Sequence, residues 1–183
     1  MEGVMKHLAI AVMAFALAIG MAPVGAQETK GGEKAEAAEA AKNAPALASA
    51  LKEAKVSLQD GLKATEAQGK PISGKFEIED GKLQLSVYTL KEGKFFEVIV
   101  DHKTGQIAKA EPITEKDDLA DAKKQGNAML KAKGTLADAV AKAEKTHPGY
   151  HAVSIAAELE GGGPNAEVTL LKGTVSKQVD EKL

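Results

Sequence analysis

The chain has 183 residues, a formal charge of −2, 44% apolar and 27% charged side chains, a balance that supports a packed core and argues against a disordered polyelectrolyte. All 24 basic residues are lysine, so the planar guanidinium fork that reads phosphates and guanine edges is missing and nucleic-acid binding is not expected. Cysteine is absent, which removes disulfides, thiolate metal sites, a cysteine nucleophile and an N-terminal lipidated cysteine.

At the N-terminus, Lys6 and His7 precede an uncharged run from Leu8 to Ala22, followed by Pro23 and the small residues Val24, Gly25 and Ala26. This is the pattern of a cleavable secretory signal over residues 1–26, with cleavage expected between Ala26 and Gln27. A retained anchor is disfavoured by Gly20, Pro23 and Gly25 and by the lack of a basic cluster after Gln27. The expected location is periplasmic or secreted, in a bacterium, with no membrane span after cleavage. Met5, just before Lys6, is an alternative start to Met1.

Residues 27–45 hold alanine, glutamate, lysine and Gly31-Gly32 but no large apolar side chain, and read as a flexible linker. From Ala46, the residues Leu47, Leu51, Ala54, Leu58 and Leu62 recur at intervals of three and four, which predicts one helix ending by Gly69 and Pro71. Alternating runs over 72–79, 82–90 and 94–101, joined by Asp80-Gly81 and Glu92-Gly93, predict an antiparallel meander. In its third strand Phe96, Val98 and Val100 face one way and Phe95 and Ile99 the other, as in a strand partly covered on both sides.

A turn over 102–105 leads to a short strand around Ile107. Thr114 and Asp117 then have the spacing of a capping box, starting a helix to about Lys124 that Gly126 and Asn127 interrupt. A further helix opens at Thr135, with Asp138 at the capping position and Leu136, Val140 and Ala143 on its apolar face, and ends at Pro148-Gly149. Alternation resumes with Val153, Ile155, Ala157 and Leu159 on one face, a loop at 161–165, and strands over 166–171 and near Val175 and Val179. The order helix, strand, strand, strand thus occurs twice. Aligning Ala166-Glu167-Val168 with Phe96-Glu97-Val98 suggests an internal duplication.

The expected fold is α+β: two tandem small modules, residues 46–113 and 134–183, each a helix packed on a three- to four-stranded antiparallel sheet, joined by a helical connector over 114–133. Four of the five aromatics beyond the signal lie between Phe76 and Phe96, which places the main core in the first module and predicts a larger loss from Phe96→Ala than from Tyr150→Ala.

The stretch from Phe95 to Ile107, with the core strand Phe95, Phe96, Val98 and Val100 followed by the turn Asp101, Thr104 and Gly105, resembles the closing hairpin of a PepSY domain. The resemblance covers 46–113 well and 135–183 weakly, where Lys172-Gly173 stands in place of the longer turn. It implies two PepSY-like modules, the second divergent, without chemistry of their own. The family occurs in propeptides of thermolysin-type metalloproteases and in secreted bacterial proteins. The resemblance therefore implies a protein partner, with a secreted peptidase as one candidate, engaged through a sheet edge or face. The turn residues also have a structural reading, since Asp101 and Thr104 can bond turn backbone and Gly105 can supply positive φ.

No catalytic residue is assigned. Ser49 to Lys52 and Lys103 to Gly105 spell fragments of a penicillin-binding signature, but the third element is missing. The glycine clusters lack the strand-loop-helix setting of a phosphate cradle. His102, His147 and His151 are the weak candidates for a metal. Pro148-Gly149 separates the last two, so neither a metal nor another cofactor is expected. Glu77, Glu79, Glu97 and Glu158 fall on alternating strands and read as a solvated face. The leading expectation is a non-catalytic binding or peptidase-regulating module. The alternative is a small-ligand or metal-binding envelope protein with a sensing or storage role.

Overall fold

The computed structural model describes residues 44–183; the expected signal, its Ala26/Gln27 cleavage point and nearly all of the expected linker lie outside the described residues. Ala44 and Pro45 already belong to a helix (α1, residues 44–50), and Ala44 is buried against Val153 and Leu171. The linker therefore ends earlier than its composition implied, because a small residue can be packed where a large one is not needed.

The single helix expected from Ala46 to Gly69 is broken. After α1 comes a 3-10 turn, Leu51–Glu53, and Ala54 is extended at ψ 135° before helix α2, Leu58–Ala64. Two features impose the break. Ser57 caps α2, accepting from Asp60 N while Asp60 takes the Ser57 N–H, a reciprocal capping box. The amides of Lys55 and Val56 meanwhile donate to the His102 carbonyl at 2.8 and 3.1 Å. Backbone donors spent on a distant residue cannot close helical turns.

Seven strands follow: β1 Lys70–Glu79, β2 Lys82–Lys91, β3 Lys94–Val100, β4 Ile107–Pro112, β5 His151–Glu160, β6 Gly163–Lys172 and β7 Val175–Lys182. Asp80-Gly81 and Glu92-Gly93 have positive φ at both positions, the backbone that suits two-residue hairpins between right-twisted strands. Instead of two sheets there is one antiparallel sheet, in the order β4-β3-β2-β1-β5-β6-β7. Its two halves meet where Ser73, Gly74 and Lys75 pair with Ala156, Ile155 and Ser154. Each of these strands would otherwise be an edge with unpaired amides, and pairing removes both edges at once.

Between the halves run α3, Lys116–Lys131, and α4, Leu136–Thr146. Helix α3 is continuous through Gly126 and Asn127, and Glu115, not Thr114, is its N-cap, without a side-chain bond. Gly126 permits close packing: a Cβ there would lie 2.8 Å from Phe95 Cε1. The helix-weakening residue is thus kept by a tertiary contact. Thr135 caps α4 as expected, accepting from Asp138 N at 3.1 Å.

The helices lie on both faces of the sheet. Gly61 of α2 abuts Leu85, while Gly126 of α3 abuts Leu90 and Phe95; Leu85 and Leu90 are five apart on β2 and so point to opposite faces. Helix α4 lies beside α2, with Gln59 Nε2 donating to the Ala137 carbonyl and Lys142 bridging to Glu181 at 2.5 Å. The connector is thus a third layer across the face opposite α2 and α4.

The core is aliphatic. Leu58, Leu62, Ile72, Leu85, Met129, Leu136, Ile155 and Leu170 are its largest fully buried side chains. Phe76 is the one buried aromatic among the described residues; Tyr88, Phe95, Phe96 and Tyr150 are half-buried. The main core therefore does not centre on the aromatic stretch. Two details of the second half also differ from expectation. A β-bulge between Ala152 and Ser154 separates Val153 from Ile155 and Ala157, so Val153 packs with Ala44 and Leu171 instead. And β6 is the second strand after its helix, the place β2 holds in the first half, so Ala166-Glu167-Val168 does not correspond by topology to Phe96-Glu97-Val98 on β3.

Candidate functional site

The turn of the PepSY-like stretch is built from its own side chains. Asp101 Oδ1 accepts the amides of Lys103 and Thr104, both at 2.8 Å, and the Asp101 carbonyl accepts Gly105 N at 2.8 Å, with Gly105 at φ 75°. The two amides hold the Asp101 carboxyl below its ordinary pKa. On the strand before it, Val98 and Val100 are buried, Phe96 is half-buried and Phe95 packs against α3.

The three histidines are placed separately. His102 is half-buried, with Nδ1 unpartnered beside the Asp101 turn. His147 Nδ1 lies 3.0 Å from the Ala143 carbonyl at the end of α4, and its ring meets Tyr150 edge-on. His151 is exposed at the start of β5. Among the described residues only Glu158, Glu160 and Asp180 bring three ligand atoms within 4.8 Å of one another, at exposed or half-exposed strand ends.

The expected solvated carboxylates on β1 and β3 are partly enclosed, because α3 covers their face. Lys75 Nζ pairs with Glu77 Oε2 at 2.7 Å, Ser86 Oγ donates to Glu97 Oε1 at 2.5 Å, and Tyr88 lies opposite Glu97. Burial raises the Glu97 carboxyl above its ordinary pKa; Ser86 opposes the rise and Glu77 adds to it. Burial likewise raises Asp118, on α3, against the pull of Lys75. For Lys75 burial disfavours the charge, but Glu77, Glu97 and Asp118 outweigh it and its pKa rises. Tyr88 is raised by burial and then by the same carboxylates. A mixed cluster of this kind fixes α3 over the sheet and leaves charge half-desolvated there.

A groove of about 490 Å³ lies between the segment 48–58 and strands β1, β5 and β6. Its lining includes Leu51, Val56 and the buried Phe76, Ala152, Val153 and Leu171, and Leu51 packs against the Val153 and Leu171 cluster. The segment 48–58 carries the break between α1 and α2, where the amides of Lys55 and Val56 donate to the His102 carbonyl. The groove's size falls in the range of ligand-binding clefts. Sequence periodicity could not show it, because its two sides come from segments about a hundred residues apart. A smaller hollow of about 380 Å³ lies between Leu62, Pro71, Met129 and Leu136, where Lys70 donates to the Met129 carbonyl.

No family model matches the chain, and no curated protein matches it either. Among solved structures it is similar to that of a candidate lipoprotein from Clostridium difficile 630, at 13% identity, with a TM-score of 0.38, covering 70% of this chain and 95% of the other. Among the described residues no helix is long and apolar enough to cross a membrane.

Proposed function

We propose that this is an exported, non-catalytic envelope protein that binds a partner protein through the groove under residues 48–58. Export rests on the N-terminal pattern: a basic start, an uncharged run and small residues before Gln27. Partner binding rests on one observation, the groove of about 490 Å³ lined by half-buried Leu51 and Val56 and by buried Phe76, Val153 and Leu171. The sheet edges are poorer sites. Strand β4 carries the Lys109–Glu111 pair and ends at Pro112, and β7 carries Lys177, Asp180 and Lys182; charge and proline discourage strand addition. The PepSY resemblance narrows the partner to a secreted peptidase, slowed on binding.

The test places a photo-crosslinking amino acid at Lys52, on the groove, or at Ser176, on the far edge strand, of the full chain expressed in a bacterial host. Processing to Gln27 and one partner crosslinked from position 52 only would support the reading, and slowing of that partner's peptidase activity would support the narrower one. Equal crosslinking from both positions would overturn groove binding.

A further inference from the structure

The segment ahead of α2 is fastened at one end. From Glu53 onward it is clasped to the Asp101 turn: Glu53 pairs with Lys103 at 3.3 Å, and the amides of Lys55 and Val56 donate to the His102 carbonyl. Ahead of that clasp, no hydrogen bond or ion pair among the described residues joins residues 44–52 to the sheet. Apolar contact alone holds this stretch. Ala44, Val153 and Leu171 form a small buried cluster set apart from the main core, with half-buried Leu47, Ala48 and Leu51 against it. Leu47 and Leu51 also touch the main core. Small and half-buried side chains remove little area from water, so this contact is weak beside those of the strands below. The sheet underneath does not depend on the cover: His151 and Ala152 pair with Leu171 and Leu170, and the Ala152 amide is taken by Glu144 Oε1 at 2.7 Å.

From this one-ended attachment we propose that residues 44–52 act as a strap: they leave Val153 and Leu171 as a unit, pivoting at the clasp on the Asp101 turn, while the sheet stays folded. Local opening of this kind belongs to segments with few buried contacts and no hydrogen bonds to their surroundings. In the closed state the strap itself occupies the apolar patch, which makes it an autoinhibitory contact. This role rests on the partner-binding reading above: a partner reaches Val153 and Leu171 only when the strap has swung away, so the open fraction scales its apparent affinity.

The chain has no cysteine, so a single introduced thiol reports opening in the full chain. Val153→Cys lies beneath the strap, and Val168→Cys lies fully buried in the main core on β6. With a thiol reagent in native buffer, Val153→Cys is expected to react about tenfold or more faster than Val168→Cys, at a rate that changes little up to about 1 M urea. Leu47→Ala loosens a half-buried strap contact and is expected to speed the first reaction and not the second. Equal rates at both positions, rising together with urea, would overturn the strap, since the segment then opens only with the whole molecule. An equal gain at both positions from Leu47→Ala would overturn it as well. These rates are read in the purified chain without a partner, so they stand apart from the crosslinking test. Fast labelling of Val153→Cys with no crosslink from position 52 would overturn the autoinhibitory role and leave the strap standing.

Discussion

The halves of the sheet on either side of the β1–β5 junction, one of four strands and one of three, fill space differently. In β1–β4 the inner face is built from large aliphatics, Ile72, Leu85, Val87, Val98 and Val100, and the outer face carries Tyr88, Phe95 and a charged cluster that meets α3. In β5–β7 small residues recur: Ala152, Ala157 and Ala166 on the sheet and Ala137, Ala139 and Ala143 on α4 are all buried. Small residues bring helix and sheet close but remove little area from water per residue. The second half therefore draws its stability from its neighbours, through the β1–β5 pairing, the contact of α4 with α2 and the passage of α3 over β5.

The strongest way to break that comparison is to cut one large side chain from each half. Leu85→Ala and Leu170→Ala remove fully buried leucines, and each is expected to cost roughly 2–5 kcal/mol in urea denaturation. If the second half leans on the first, Leu85→Ala lowers a single transition for the whole molecule. A separate early transition of β5–β7 in either variant would contradict that dependence. Phe96→Ala, at a half-buried site, should fall below both.

The helix caps offer a finer comparison, because α2 and α4 have matching Ser57-Asp60 and Thr135-Asp138 pairs. Ser57→Ala and Thr135→Ala are each expected to cost about 1 kcal/mol in thermal or urea denaturation. Ser57→Ala should in addition weaken binding at the groove, since Ser57 also orders its wall; equal binding by the two variants would sever that link.

The smallest effect concerns the charged cluster that only the first half possesses. Glu97 and Asp118 have folded pKa values above the ordinary 4.5 and 3.8. Their burial cost at neutral pH is relieved as pH falls through those folded values, fully so below the unfolded ones. Asp60 and Asp101 are lowered, so their contribution is lost as pH falls below the ordinary 3.8. Stability should thus rise from pH 7 towards pH 4.5 and decline below pH 3.8. Glu97→Gln keeps an acceptor for Ser86 and removes the charge. It is expected to gain less than about 1 kcal/mol at pH 7 and nothing at pH 4, in thermal melts across pH. A gain that persists at pH 4 would place its cause elsewhere than in charge.

The hairpins were legible in the sequence because their information is local. Alternation marks β1 to β3, and Asp80-Gly81 and Glu92-Gly93 mark the turns, so strand ends moved by only a residue or two. Helix α4 was legible for the same reason, through Thr135 and Asp138. What was hidden depends on distant partners. The break at Ala54–Ser57 needs the His102 carbonyl, and the continuity of α3 needs Phe95 beneath Gly126. The enclosure of Glu97 needs a helix that passes over its face. The turn residues Asp101, Thr104 and Gly105 could be named in advance, whereas the groove, which joins residues near 50 to residues near 150, could not.

The junction between β1 and β5 also governs how the chain can reach this state. Hairpins β1–β2, β2–β3 and β5–β6 close over two-residue turns and can form within microseconds. The three pairs that join the halves unite residues about eighty positions apart, and a loop of that length must close before they return any free energy. The junction is therefore the expected slow step of folding. Substitutions at Gly74 or Ile155 should slow refolding more than they speed unfolding, while changes at the hairpin turns leave the refolding rate nearly untouched.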